Sequence, residues 1–163
     1  MADNVAIVSG AARGMGKSFA KVLASEGYKV LAFDLDKAVE KIKGVRGIFA
    51  DVSKVGQVEA VVEEASKLGV IKVVVNNAGA WRKTPVDSSW DQALSDWDHI
   101  MDTNLKGVLM LSRASIPHMK AKGGNIINIS SYYVLPAKSA GTNPADTDLY
   151  NASKWALNGF TDA

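Results

Sequence analysis

The first 34 residues restrict the fold more than any other part of the chain. Residues 5–8 (Val-Ala-Ile-Val) are a short apolar run, as in a strand with both faces buried. They lead into Ser9-Gly10-Ala11-Ala12-Arg13-Gly14-Met15-Gly16. Helical spacing follows at once, with Phe19, Val22 and Leu23 expected on one face and Gly27 as the C-terminal stop. Residues 29–33 form a second strand ending at Asp34. Strand, glycine turn, helix, strand and acid thus occur in series. Gly10 permits the tight turn, Gly14 lets backbone approach a pyrophosphate, and Gly16 lets the helix pack close to the strand. The helix N-terminus offers N–H groups and the positive end of its dipole to phosphates. The spacing is G-x-x-x-G-x-G, and the acid lies 18 residues beyond Gly16. The competing reading is a purely structural glycine turn, but the context is the one a dinucleotide site requires.

Asp34 is placed to accept hydrogen bonds from both adenosine ribose hydroxyls. It would repel a 2′-phosphate, which favours NAD over NADP. Arg13 pulls the other way, because a guanidinium there can reach a phosphate. A fixed carboxylate outweighs a mobile arginine.

The alternation continues. Residues 38–43 are a short helical piece closed by Gly44, and residues 47–50 are a third strand ending at Asp51-Val52. Residues 55–68 are helical, with Val58, Val61, Val62 and Ala65 as the buried stripe. Residues 70–75 are a fourth strand ending in Asn76-Asn77-Ala78-Gly79, and residues 126–129 a fifth, running into Ser130-Ser131. Strands separated by helices imply right-handed crossovers and a parallel sheet covered on both faces. The expected fold is therefore α/β, a Rossmann-type doubly wound sheet, with residues 1–163 as one domain. Ligands of such sheets bind beyond the carboxyl ends of the strands, where Gly14, Asp34, Asp51 and Asn77 all fall. Residues 81–97 read as a loop passing into a helix. Residues 97–118 read as one long helix, with Asn104 poorly suited to its interior. Residues 132–149 read as a loop, with Tyr150 starting the next helix.

Composition excludes several chemistries. The chain has 163 residues, 47% hydrophobic and 22% charged, which suits a globular domain. A net charge of +2 gives no case for nucleic acid or an acidic membrane surface. The absence of cysteine removes disulfides, thiolate metal sites and cysteine nucleophiles. The two histidines, His99 and His118, lie far apart without a second ligand at metal spacing, so surface or helix-end roles are expected and no metal site. No apolar run is long enough to span a membrane, and the N-terminus enters a strand directly, so a cytoplasmic location is expected.

Tyr150-Asn151-Ala152-Ser153-Lys154 carries the reactive chemistry. A tyrosine and a lysine four residues apart share one helix face. A fixed cation beside a phenol favours the phenolate. A lysine and a cationic cofactor ring together would supply more of that stabilisation than a lysine alone. By itself the pair is a common accident on helices.

With these motifs in place, the sequence closely resembles the short-chain dehydrogenase/reductase family. The matching motifs are Ser9-Gly10-x-x-x-Gly14-x-Gly16, Asp51-Val52, Asn76-Asn77-Ala78-Gly79, Asn104-x-x-Gly107, Ile129-Ser130-Ser131 and Tyr150-x-x-x-Lys154. Ser9 replaces the family's usual threonine and keeps the hydroxyl. The resemblance implies that Tyr150 is the general acid/base, that Lys154 assists it and holds the nicotinamide ribose, and that Ser131, rather than Ser130, orients the substrate oxygen. Asn104 would kink its helix and hold a relay water. The dinucleotide would lie on Gly10, Arg13, Gly14, Met15, Gly16, Asp34, Asp51, Val52, Asn77, Ala78 and Gly79, besides Tyr150 and Lys154. The implied substrate is a small secondary alcohol or ketone, and the implied assembly a homo-oligomer, tetramer or dimer.

Two departures are expected to matter. The interval from Ser131 to Tyr150 is longer than the family norm. The extra residues, 137–148, would sit at the mouth of the site with Trp81, Tyr132 and Tyr133 as aromatic walls, or would form a surface insertion. The sequence also stops at Ala163, inside the helix that carries Tyr150, whereas the family continues through further strands and a substrate lid. The chain therefore reads as a truncated enzyme with the C-terminal strands missing, and if Ala163 is the true terminus, low stability and little activity are expected. The alternatives are a non-catalytic dinucleotide-binding protein, which the intact Asn104, Ser131, Tyr150 and Lys154 oppose, and an NADP-dependent reductase, which Asp34 opposes.

Overall fold

Among the described residues, five strands are interspersed with helices in the order β1 (Asn4–Ser9), α1 (Gly14–Ser25), β2 (Lys29–Asp34), β3 (Arg46–Phe49), α2 (Val55–Ser66), β4 (Val70–Asn76), α3 (Trp90–Met101), α4 (Gly107–Met119), β5 (Asn125–Asn128) and α5 (Asp148–Asp162). They are seen in a computed structural model that describes residues 3–135 and 145–163. Residues 137–144 of the proposed insertion lie outside the described residues. The strands form one parallel sheet in the order β3-β2-β1-β4-β5. The order reverses between β1 and β4, which makes their carboxyl ends the switch point. This is the doubly wound α/β fold expected from the alternation.

Two compact units make up the chain: Met1–Ala78 with Gly107–Asn128, and Gly79–Lys106 with Ile129–Ala163. The whole sheet belongs to the first. Val5, Ile7, Leu31, Phe33 and Val74 of its strands pack with Val58, Val61, Val62 and Ala65 of α2 and Leu111 of α4. Each fully buried side chain of this size contributes roughly 1.5–3 kcal/mol. Ala6 and Val8 point to the opposite face and are also fully buried.

The stripe expected for α2 is the one observed, but that of α1 differs. Gly16 and Ala20 are the buried residues of α1, and Val22 is 58% exposed. A Cβ on Gly16 would lie 2.2 Å from the carbonyl oxygen of Gly10. The helix comes too close at that point for a large side chain, so small residues face inward.

The second unit holds α3, a π turn at Asp102–Lys106, a short 3-10 turn at Tyr132–Val134, and α5. Two boundaries differ from the sequence reading. The helix expected from residue 97 begins at Trp90, because the Ser89 side chain accepts the Gln92 N–H and Asp91 sits in the first turn. The helix of Tyr150 begins two residues earlier, at Asp148. In the first unit, the piece expected at 38–43 is a 3-10 turn at Lys37–Lys41 capped by Asp36.

Candidate functional site

In the first unit, Ser9 and Asn77 tie the ends of β1 and β4 together. Ser9 Oγ donates to the Val75 carbonyl (3.3 Å) and accepts the N–H groups of Asn77 and Ala78 (3.0 Å each). Asn77 Nδ2 donates to the carbonyls of Ser9 and Gly10 (3.0 and 2.9 Å). This fixes the glycine turn from outside. Gly10 has φ +64° and Gly14 has φ +56°, both in the left-handed region that favours glycine. A Cβ on Gly10 would lie 2.7 Å from Ala78 Cα. The N-terminus of α1 follows, and Arg13 at its cap position makes no side-chain capping bond. Such an end presents unpartnered N–H groups and positive potential. Gly14 and Arg13 are exposed, as is Met15 at 61%.

Asp34 is half-buried at the end of β2. Its Oδ2 accepts the Ala12 N–H and its Oδ1 the Asp36 N–H, both at 2.9 Å. Each carboxylate oxygen has a second lone pair for a further donor. Asp51 Oδ1 accepts the Ser53 N–H (2.8 Å), which holds the turn into α2, and Val52 is buried. A Cβ on Gly107 would meet the Val52 methyls at 2.9 and 3.0 Å. The glycine three residues after Asn104 therefore seats the Asp51-Val52 turn, a role its spacing does not disclose. Ala78 is half-buried and Gly79 exposed beyond the end of β4.

In the second unit, Asn104 is fully buried within the π turn. Its Oδ1 accepts the Ala80 N–H (2.7 Å), and its Nδ2 donates to the Ala80 carbonyl and to Ser153 Oγ, both at 3.0 Å. Ser153 Oγ in turn donates to the Tyr150 carbonyl at 2.7 Å. An asparagine ill-suited to a regular helix thus clamps the segment after β4 and bridges to the helix of Tyr150. Ser153 was not singled out from the sequence. Its place three residues after Tyr150 was legible, but its partner was not.

The same segment is held at alternate residues. Arg82 pairs with Asp96 at 2.7 Å, and Gln92 Nε2 donates to the same carboxylate at 3.0 Å. The hydrogen bond from Arg82 is the main cause holding the Asp96 carboxyl below the usual carboxylate range. The Thr84 N–H donates to the Asp146 carbonyl (2.7 Å), and its hydroxyl bonds Asp148. Trp81, between these anchors, is 51% exposed.

Lys154 is buried, and its ammonium donates to the carbonyl of Ile129 at 2.8 Å. Nζ stands 5.8 Å from the centroid of the Tyr150 ring. Burial pushes the Lys154 ammonium down to about 8. Ile129, expected as the last residue of the fifth strand, lies beyond β5 and supplies this carbonyl instead. Ser130 Oγ donates to Asn158 Oδ1 of α5 (2.7 Å), whereas Ser131 Oγ accepts the Tyr133 N–H (3.2 Å) and keeps its own proton to donate. The Tyr133 ring meets the Tyr150 ring edge-on at 5.5 Å. Among the described residues, no three His, Cys, Asp or Glu side chains gather as a metal site, and no helix is long and apolar enough to cross a membrane. His99 and His118 are exposed, in the last turns of α3 and α4.

The family model described as short chain dehydrogenase matches residues 4–163. A trans-4-hydroxycyclohexanecarboxylate dehydrogenase of Sinomonas cyclohexanicum is 35% identical, over 99% of this chain and 65% of its own length. A 3-alpha-(or 20-beta)-hydroxysteroid dehydrogenase of Mycobacterium bovis is 40% identical, over 96% of this chain and 60% of its own. The chain thus spans about three fifths of the length of these relatives. A short chain dehydrogenase/reductase from Burkholderia phymatum, solved in complex with NAD, superposes with a TM-score of 0.83 at 29% identity, covering 98% of this chain and 58% of that one. With its glycine turn, Asn104 clamp and Tyr150–Lys154 helix all inside the matched span, the chain belongs to the short-chain dehydrogenase/reductase family.

Proposed function

We propose that the chain binds a nicotinamide dinucleotide, NAD in preference to NADP, and acts as an oxidoreductase interconverting a secondary alcohol and a ketone. The observation that carries this reading is the buried Lys154 ammonium, anchored on the Ile129 carbonyl and 5.8 Å from the ring of Tyr150. A buried cation is costly, and functional sites are where such groups persist.

The glycine turn fits the dinucleotide. Gly10 and Gly16 leave backbone where side chains would intrude, Gly14 takes a positive φ with open space around it, and the N–H groups at the start of α1, with Arg13 and Met15 beside them, would take the pyrophosphate. Asp34 would bind the adenosine ribose, Asp51 and Val52 the adenine, and Asn77, Ala78 and Gly79 the second ribose. When bound, the dinucleotide supplies the hydride acceptor or donor.

The chain's own contribution is proton chemistry and positioning. Tyr150 takes the proton of an alcohol or returns it to a forming one, as a general base or acid. Lys154 would assist Tyr150 in this proton transfer and would hydrogen-bond the nicotinamide ribose. Ser131 donates to the substrate oxygen, a role supported by the commitment of Ser130 to Asn158. Asn104, with its amide bonded to Ala80 and Ser153, positions the segments that carry this chemistry and supports a relay water. The relatives named for a hydroxycyclohexanecarboxylate and for hydroxysteroids support a secondary hydroxyl as the group acted on.

A cytoplasmic location and a homo-oligomer, dimer or tetramer, belong to the same proposal. Exposed Trp90 and Leu94 on α3 and Trp155 on α5 support association.

The test is NADH formation from a panel of secondary alcohols, with NAD and NADP compared. Tyr150→Phe is expected to lower turnover by a factor on the order of 100 or more while NAD still binds. Asp34→Ala is expected to bring NADP affinity up towards that for NAD. Turnover that survives Tyr150→Phe would overturn the assignment of the base. NAD binding without turnover of any alcohol would favour a dinucleotide-binding protein without catalysis.

A further inference from the structure

Within the second unit, Tyr133 is tied to both candidate reacting groups. The Tyr133 N–H donates to Ser131 Oγ at 3.2 Å, and the Tyr133 ring stands edge-on to the Tyr150 ring at 5.5 Å. Its ring also meets that of Tyr132 at 4.6 Å and 89°. Tyr132 and, more weakly, Trp81 act on the Tyr133 phenol. Tyr132 is 56% exposed and Trp81 51% exposed, so both offer ring surface. The residues on either side of Trp81 are held, Ala80 by Asn104 and Arg82 by Asp96.

We propose that Tyr133, held by Ser131 and packed against the Tyr132 ring beside Tyr150, is the specificity-determining residue of the site and selects a hydroxyl borne on an alicyclic ring over one on an acyclic chain. This inference rests on the reading of Tyr150 and Ser131 as the groups that receive the substrate oxygen. An oxygen held there places its carbon next to the Tyr133 ring. A rigid aromatic edge and face fit a rigid apolar ring, and a ring has few rotors to immobilise on binding. An acyclic alcohol of the same carbon count gives up more freedom for the same contact. The hydrogen bond with Tyr132, followed by burial, holds the Tyr133 phenol above the ordinary tyrosine range, so the wall stays uncharged at neutral pH.

The experiment measures binding and turnover separately. Cyclohexanol and 2-hexanol, both with six carbons, are titrated by ligand-observed NMR against the chain with NAD present, and NADH formation is followed in parallel. Tyr133→Ala is expected to weaken cyclohexanol binding roughly tenfold and 2-hexanol binding by no more than about threefold. Tyr133→Phe is expected to keep the ring preference, and Trp81→Ala to reduce it, with circular dichroism and NAD affinity showing that each variant is folded. Equal weakening for both alcohols, or a ring preference that persists in Tyr133→Ala, would overturn the proposal. Ring-selective binding lost in Tyr133→Ala without NADH formation in the wild type would uphold the wall and refute the catalytic reading instead.

Discussion

Replacing Lys154 by methionine should change stability in a way that depends on pH. The Lys154 ammonium is buried, touches one carbonyl acceptor, and titrates at about 8 instead of 10.5. The difference corresponds to about 3 kcal/mol of destabilisation wherever the lysine is protonated in both states. The sign follows from proton counts. Below pH 8 folded and unfolded chains both hold the proton, and the folded state carries the whole cost. Between 8 and 10.5 the unfolded chain holds more protons, so stability rises with pH. Above 10.5 the cost is gone. Methionine has no charge to desolvate, so Lys154→Met removes this dependence. It also leaves the Ile129 carbonyl without its donor, which costs about 1–3 kcal/mol at every pH. The variant is therefore expected to be of similar or greater stability at pH 7 and less stable at pH 10.5. The difference between the two proteins should move by about 3 kcal/mol across that interval. Urea unfolding at a series of pH values, extrapolated to water, measures it. A difference that stays constant from pH 7 to 10.5 would refute the reasoning, because it would mean that the ammonium is solvated in the folded chain. Loss of NADH formation in the same variant would show that the residue which weakens the fold is the one that serves the chemistry.

Three further outcomes follow from single contacts. Gly16→Ala brings a Cβ to 2.2 Å from the Gly10 carbonyl oxygen, so a loss of about 1–3 kcal/mol in urea unfolding is expected, with weakened dinucleotide binding by calorimetry. Ser153→Ala removes an acceptor from the buried Asn104 amide and should cost about 1–3 kcal/mol, whereas Ser153→Thr, which keeps the hydroxyl, should recover part of it. Arg82→Met leaves the Asp96 carboxylate, 2% exposed, without its cation. The stability that Asp96 contributes in the wild type is present above the ordinary carboxylate range and lost as pH falls through its lowered value. The acid-unfolding midpoint of Arg82→Met, followed by circular dichroism, should therefore lie at higher pH than that of the wild type.

What the sequence determined by itself is local chemistry repeated along the chain. Apolar β-branched runs separated by helical spacing can satisfy their burial only as a parallel sheet with helices around it, and the observed order β3-β2-β1-β4-β5 is such a sheet. The glycine turn was legible because positive φ at Gly10 and Gly14 is a property of the residue type. The Tyr150–Lys154 spacing was legible because helical period fixes which side chains share a face. Tertiary structure decided the pairs of distant residues. No spacing within either segment indicates that Asn104 bonds Ser153, that Gly107 makes room for Val52, or that the Ile129 carbonyl anchors Lys154. It decided the face of α1 as well, where close approach at Gly16 puts Ala20 inside and leaves Val22 in solvent. A periodic pattern records the hydrophobicity of each position, whereas burial depends on the distance to the neighbouring element, and that distance is set only when the sheet has formed.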